Sequence, residues 1–218
     1  MFKLSQKKYI PLSKVEVQSY IDDKFSTRHI HLESESNEKC FVVAFKTLPS
    51  DSTGVAHILE HTVLCGSKKY PVRDPFFMMT RRSLSTFMNA FTASDFTAYP
   101  FSTLNDNDFS NLLSVYLDAT FFPNLNELDF MQEGHRFDFV ENDKSKDQIV
   151  LKGIVYNEMK GAMSSISSQA DQGLNENLFP NHTYGYNSGG DPQDIPKLSY
   201  QNLLDFHKKH YHPSNAIF

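Results

Sequence analysis

Residues 38–66 read EKCFVVAFKTLPSDSTGVAHILEHTVLCG, and two different periodicities meet in this stretch. In residues 38–48, β-branched and aromatic side chains dominate up to Pro49, and this composition predicts a buried strand. From Gly54 to Cys65, apolar residues recur at helical spacing, and Gly66 supplies a stop. Three residues before the helix could cap it through a side-chain oxygen: Asp51, Ser52 and Thr53. A strand followed by a helix is therefore expected.

The same helix contains the pentapeptide His57-Ile58-Leu59-Glu60-His61, which is the inverted zincin pattern H-x-x-E-H. Residues four apart lie on one helix face, so both imidazoles can reach a single Zn²⁺ at about 2.0–2.1 Å from each ligating nitrogen. Glu60 shares that face, where its carboxylate could take a proton from a zinc-bound water. The pattern predicts His57 and His61 as zinc ligands and Glu60 as a general base.

A chance match on a surface helix is the alternative explanation of this pentapeptide. Ile58, Leu59 and Val63 make the helix apolar enough to be buried. Buried polar side chains need partners, and a metal ion would supply them. The apolar surroundings therefore favour a metal site.

A catalytic zinc commonly has three protein ligands and one open position, so a third ligand is expected from elsewhere in the chain. Cys65 lies one turn beyond His61, but about 12 Å along the helix axis from His57, too far for one ion to bridge. The residues by themselves leave three carboxylates open as the third ligand: Glu133, Glu141 and Glu158.

A second histidine cluster, His207, His210 and His212, is less favourable for metal binding. Its helix is expected to end near Tyr211, before Pro213, which removes a shared ligand face. We therefore expect separate structural roles for these histidines.

Elsewhere the periodicity predicts a mixed α/β chain. The predicted elements are a helix over 74–88, a strand over 93–101, a helix from Asp106 or Asp108 to Phe122, a strand over 137–140, a helical pattern over 149–159, a helix over 198–210 and a strand beginning at 215–218. Residues 161–197 are rich in Gly, Ser, Asn, Asp and Pro and predict loops with at most a short helix. Their Gly189-Gly190 pair lacks the Gly-Lys-Ser/Thr ending of a phosphate-binding loop and predicts a structural turn.

The composition is that of an ordinary globular protein, with 218 residues, 39% hydrophobic and 22% charged. A net charge of -5 disfavours nucleic-acid binding. No apolar run approaches the ~18 residues of a membrane span, and no signal segment is visible. With only two cysteines, a soluble cytoplasmic protein is expected. We expect residues 1–218 to form a single N-terminal domain that is truncated at its C-terminal end.

Several longer motifs resemble the inverzincin metallopeptidases of the insulinase and pitrilysin superfamily, specifically the presequence protease and falcilysin branch. The resemblance covers the chain from about Thr53 onward. It is carried by HILEHTVLCGSKKYP at 57–71, NAFT at 89–92, LKGIVYNEMKG at 151–161, SGGDP at 188–192 and YHPSN at 211–215. Two positions depart from common family patterns: Leu151 replaces a glutamate of the insulin-degrading members, and His135 stands where a Trp is frequent.

The resemblance implies the remaining site residues and the fold. It selects Glu158 as the third ligand of one Zn²⁺ per chain. It implies that Asn89, Ala90 and Phe91 bind the substrate backbone, and that an apolar side-chain pocket is formed by Leu64, Phe76 and Phe77. From the residues alone, the two pocket phenylalanines would be assigned to the core. The implied fold is an α+β roll with a mostly antiparallel sheet packed against helices.

The resemblance also implies an activity, which is zinc-dependent endoproteolysis of short unfolded peptides. Family members resemble a clamshell whose distant half adds Arg and Tyr residues to the site. This chain alone is therefore expected to be inactive or weakly active, with peptide substrates and that remaining half as its partners. The bacterial cytoplasm or an organelle matrix is the expected location. Two alternatives are a non-catalytic scaffold of the same superfamily and a closed structural or storage zinc module.

Overall fold

The computed structural model describes residues 1–140 and 148–218. The strands are β1 (Phe2–Ile10), β2 (Val15–Asp22), β3 (Arg28–Glu33), β4 (Lys39–Lys46), β5 (Ser85–Met88), β6 (Phe91–Thr92), β7 (Phe96–Thr103), β8 (Arg136–Phe139), β9 (Ile149–Lys152) and β10 (Ala216–Ile217). The α-helices are α1 (Val55–Val63), α2 (Pro75–Arg82), α3 (Asp106–Phe121), α4 (Glu127–Glu133), α5 (Ile154–Ala162), α6 (Ile166–Leu178) and α7 (Tyr200–His210).

Within the described residues, eight strands form one sheet in the order β1-β2-β3-β10-β4-β7-β5, with β6 also paired to β7. The pairing of β10 with β3 is parallel, and the other pairings in this sheet are antiparallel. β8 and β9 form a separate antiparallel pair. This arrangement confirms the predicted α/β class with a mostly antiparallel sheet and helices.

The hydrophobic core lies between the central strands and the helices. Val43 and Phe45 of β4 are both buried, because alternate residues of a strand point to the same face. Phe45 stacks on Tyr211, with ring centroids 4.4 Å apart. Ile58 and Leu59 of α1 are fully buried in the same core, and each such side chain contributes about 1.5–3 kcal/mol of hydrophobic stabilisation. β4 and α1 confirm the strand predicted over 38–48 and the helix predicted over 54–65.

The start of α1 differs from the prediction. Its N-cap is Gly54, with φ 70° and no side-chain cap, whereas Asp51, Ser52 or Thr53 was expected to cap it. A Cβ on Gly54 would lie 2.8 Å from both the Gly189 carbonyl oxygen and the Gly190 Cα. Because α1 begins so close to these backbone atoms, only glycine fits at its first turn.

Two further helix boundaries also needed correction. The helix predicted over 74–88 ends at Arg82, and its C-cap Ser83 has an extended backbone (ψ 165°) that leads into β5. In α3, the N-cap is Asn105, not Asp106 or Asp108, and its side chain accepts a hydrogen bond from the Asp108 amide. The predicted extent of α3 is otherwise confirmed.

The helix predicted over 149–159 is wrong for the first four of these residues. Residues 149–152 form β9 and pair with β8, with Leu151 opposite Phe137. A Cβ on Gly153 would lie 1.9 Å from the Gly134 carbonyl oxygen, so the chain passes against α4 before α5 begins at Ile154. Apolar spacing suited both strand and helix here, and pairing with a distant strand decided between them.

The segment 161–197 was predicted as loops with at most a short helix, but α6 occupies thirteen of its residues, Ile166–Leu178. None of its residues is buried, and its Ser, Asn, Asp and Gly residues are typical of loops. Gln172 hydrogen-bonds Glu176 one turn later, at 2.9 Å. The other predictions are confirmed by β7, β8, α7 and β10.

None of the helices in the described part of the chain has the length and apolar character needed to cross a bilayer.

Candidate metal centre

His57 and His61 project from one face of α1 into a cleft. Their ring centroids are 5.1 Å apart, at an interplanar angle of 74°. The opposite face of α1 is buried in the core, which fixes the rotation of the helix. The two imidazoles are therefore held next to each other, as the four-residue spacing predicts.

Glu158 on α5 brings a carboxylate to these two imidazoles. Its Oε2 atom lies 3.6 Å from Nε2 of His57 and 3.9 Å from Nε2 of His61. Two tetrahedral ligands of one Zn²⁺ are about 3.3 Å apart, given bonds of about 2.0–2.1 Å, so the observed separations are slightly wider. Two imidazole nitrogens and one carboxylate oxygen form a donor set used by catalytic zinc, and it leaves one position for water. The three residues thus fit a zinc ion.

Of the other two carboxylates considered as third ligand, the structure describes Glu133, which lies on another side of His61. Glu133 contacts His61 on its Nδ1 side, away from Glu158, with 3.2 Å between Oε2 and Nδ1. Among the described residues, the group of donor atoms within 4.8 Å of one another comes from His57, His61 and Glu158. Glu141 falls outside the described residues.

Glu60 is buried beside the two imidazoles. Its Oε2 atom accepts a hydrogen bond of 2.6 Å from the Thr92 hydroxyl. Burial raises the pKa of Glu60 above its usual range, although the Thr92 hydrogen bond and the neighbouring imidazoles oppose this. The carboxylate is thus placed for proton transfer next to the ligand set.

Backbone and side-chain partners hold the Nδ1 atoms of both histidines. His57 Nδ1 donates to the Gly189 carbonyl oxygen at 2.9 Å, whereas His61 Nδ1 donates to the Glu133 carboxylate. Neither Gly189 nor Thr92 was predicted as a site residue, and Glu133 was considered only as a ligand. The Gly189-Gly190 pair, which was predicted to form a turn, was the sequence signal for the contact between His57 and the Gly189 carbonyl oxygen.

Every residue predicted for the site lines one cleft of about 530 Å³. The predicted residues that line it are His57, Glu60, His61, Leu64, Phe76, Phe77, Asn89, Ala90, Phe91 and Glu158. Phe76 packs toward the core, with its ring centroid 6.0 Å from that of Tyr116. Phe77 is 64% exposed, so the core assignment from residue type alone is wrong for this side chain. The cleft therefore offers an apolar wall next to the ligand set.

Asn89, Ala90 and Phe91 follow β5, an edge strand of the large sheet. β5 ends the strand order within the described residues, and both β5 and β6 pair with β7. The Asn89 amide donates to the Pro100 carbonyl oxygen at 3.1 Å, which anchors the segment to β7. A strand edge of this kind can accept an extended peptide.

The second histidine cluster has separate backbone partners. His207 Nε2 donates to the Thr120 carbonyl oxygen and His210 Nδ1 to that of Lys46, each at 3.0 Å. Burial lowers the pKa of both imidazoles. His212 accepts a hydrogen bond from the Ser214 amide at 3.2 Å. These contacts place the three rings in different local environments.

Cys65 and His135 have structural surroundings. The Cys65 thiol is buried and donates to the His61 carbonyl oxygen at 3.5 Å. His135 Nε2 donates to the Leu198 carbonyl oxygen at 2.9 Å, and its ring lies 5.5 Å from that of Phe130. Both side chains are thus held by neighbouring backbone carbonyls.

Residues 48–167 match the family described as Insulinase (Peptidase family M16). The chain belongs to this family. It is 57% identical over 196 residues to "Presequence protease, mitochondrial" of Xenopus laevis, covering 90% of the chain and 19% of that relative. The protein of the same name from Schizosaccharomyces pombe is 50% identical over 215 residues, covering 99% of the chain and 22% of the relative. The M16 chain therefore spans about a fifth of the length of these relatives.

Two solved structures show the same fold. Pitrilysin matches 99% of the M16 chain and 22% of its own, with a TM-score of 0.73 and 20% sequence identity. A protease from Helicobacter pylori matches 92% of the chain and 45% of its own, with a TM-score of 0.72 and 20% identity. The resemblance to the insulinase and pitrilysin superfamily, including the presequence protease branch, is confirmed.

Proposed function

We propose that the protein is a zinc-dependent endopeptidase that hydrolyses short unfolded peptides. The observation that carries this proposal is the convergence of His57, His61 and Glu158, with the Glu60 carboxylate beside them. Membership of a peptidase family supports the reaction class. The relatives are named mitochondrial presequence proteases, and an organelle matrix is the location that we propose on that basis.

The ligands in this proposal are His57, His61 and Glu158. Zn²⁺, when bound, supplies a Lewis acid that polarises the scissile carbonyl and lowers the pKa of a water molecule. Glu60 accepts the proton of the attacking water as the new C–O bond forms, and it passes that proton to the leaving amine as the C–N bond breaks. Because Oε2 of Glu60 already accepts from Thr92, we assign the proton transfer to Oε1.

Substrate binding is assigned to the strand edge and the apolar wall of the cleft. An extended peptide adds as a strand along Asn89, Ala90 and Phe91 and places one side chain against Leu64, Phe76 and Phe77. The rest of the full-length protein, which would be the second half of a clamshell, completes substrate orientation and charge stabilisation. The 218-residue chain alone therefore hydrolyses peptides slowly or not at all.

A Glu60→Gln variant of the full-length protein tests the proposal. Single-turnover cleavage of a short unfolded peptide is expected to fall about 10²–10⁴-fold, while zinc content measured by mass spectrometry is retained. Near-normal cleavage would remove Glu60 as the base. Zinc without any cleavage by the parent protein would favour a closed structural or storage site, and the absence of both would favour a non-catalytic scaffold.

A further inference from the structure

Among the described residues, two buried carboxylates have no role in the proposed mechanism, Asp108 of α3 and Glu133 of α4, and of these two Glu133 hydrogen-bonds a proposed ligand, His61. Glu133 is the last residue of α4 and is 6% exposed. We propose that Glu133 is a positioning residue that fixes the orientation of His61 and strengthens it as a metal ligand. This inference rests on the proposed zinc site, because it assigns the function of a group behind one of the ligands.

The hydrogen bond from His61 to Glu133 determines which imidazole nitrogen faces the cleft. His61 Nδ1 carries the proton that it donates to Oε2 of Glu133 at 3.2 Å, which leaves the lone pair of Nε2 directed toward Glu158. The other carboxylate oxygen, Oε1, accepts from the Gln132 side chain at 3.1 Å. Both oxygens of Glu133 are thus engaged, and its carboxylate cannot turn away without losing a contact.

The backbone around Glu133 is held between the two ligand-bearing helices. A Cβ on Gly134 would lie 3.1 Å from Cγ2 of Ile58, which belongs to α1. On the other side, a Cβ on Gly153 would lie 1.9 Å from the Gly134 carbonyl oxygen, immediately before α5 begins. α4 therefore ends at the point where α1 and the start of α5 approach, which places Glu133 beside both ligand-bearing helices.

The two histidines have unequal partners. His57 Nδ1 donates to a neutral backbone carbonyl at Gly189, whereas His61 donates to a carboxylate. A carboxylate partner makes the imidazole more basic and orients it more strongly than a neutral carbonyl does. Removing the negative charge of Glu133 should therefore weaken zinc binding through His61 and leave the His57 contact intact.

The test measures the zinc dissociation constant of the full-length protein by competition with a chromogenic chelator at one fixed pH. Glu133→Gln keeps the size and an acceptor oxygen, and we expect zinc binding to weaken about tenfold; Glu133→Ala should weaken it toward about 100-fold. The matched control is Glu127→Gln, an exposed glutamate on the same helix, which should bind zinc as the parent does. The thermal midpoint of the metal-free protein is measured alongside and should be unchanged for Glu133→Gln.

A Glu133→Gln affinity within about twofold of the parent, with the metal-free midpoint unchanged, would overturn the role of Glu133 and leave the proposed function intact. A parent protein that binds no zinc would overturn both. If Glu133→Ala fails to fold, the Gln variant decides the question, because it preserves volume and hydrogen bonding.

Discussion

The Thr92 hydroxyl donates a hydrogen bond of 2.6 Å to Oε2 of Glu60 and so joins β6 to the proposed base. Thr92 directly follows Phe91, the last residue of the segment proposed to bind the substrate backbone. The base and the peptide-binding edge are therefore held in one geometry. This relationship leads to the first of four predictions.

Replacing Thr92 by Val should lower kcat/KM of the full-length protein about tenfold or more, because a hydrogen bond to a charged group contributes about 1.5–3 kcal/mol. Val preserves the shape of the side chain but cannot donate. Thr92→Ser keeps the hydroxyl and should retain most of the activity. Equal rates for the Val and Ser variants in steady-state peptide cleavage would exclude this role.

Gly54→Ala should destabilise the fold, since φ is 70° and the added Cβ would lie 2.8 Å from backbone atoms of Gly189 and Gly190. We expect a loss of about 1–3 kcal/mol in the free energy of unfolding, measured by urea denaturation. Zinc affinity should fall as well, because the Gly189 carbonyl that holds His57 would be displaced. The matched control is Gly173→Ala in α6, where the Cβ meets nothing within 4 Å and a gain of about 0.4–1 kcal/mol is expected.

Stability should decrease as the pH falls from 7 toward 5. Burial holds the pKa of His207 below its ordinary value of 6.5, so the unfolded chain takes up this proton first. The stabilisation that comes from burying a neutral His207 is fully present above the pKa of this residue in the unfolded chain. It is lost as the pH falls from that value toward the lower pKa of the folded protein. His207→Gln, which can still donate to the Thr120 carbonyl, should show a shallower decrease in urea midpoints at pH 7, 6 and 5. An identical slope in the parent and the variant would contradict this, and exposed His31→Gln serves as the control.

Phe77→Ala should change substrate preference without affecting stability, because this ring is exposed to the cleft. For peptides with a large apolar residue at the cleavage site, kcat/KM should fall about tenfold, since burying such a side chain is worth about 1.5–3 kcal/mol. Cleavage of peptides with a small residue there should change little. Leu128→Ala, an exposed residue on α4, is the control. A uniform loss for all peptides would argue against a side-chain pocket at Phe77.

Local patterns predicted the elements whose packing follows from their own periodicity. β4 and α1 were predicted because their apolar spacing matches the faces that they bury. The region 149–152 was assigned to the wrong class, because its apolar run suits both a helix and a strand. α6 was not expected, because its sequence is rich in Ser, Asn, Asp and Gly, which predicted loops.

What the sequence by itself determined is the spacing of His57, Glu60 and His61, since neighbours on one helix turn are fixed by the helical repeat. Their shared face therefore follows from the order of the residues alone. The spacing of residues left the third ligand open, and Glu158 was selected only by the family resemblance. The tertiary structure alone gives the positions of the two carboxylates: Glu158 faces Nε2 of both histidines, and Glu133 lies behind His61 at Nδ1. The physical reason is that the distance between residues on different helices depends on how α4 and α5 pack against α1, which no local periodicity encodes.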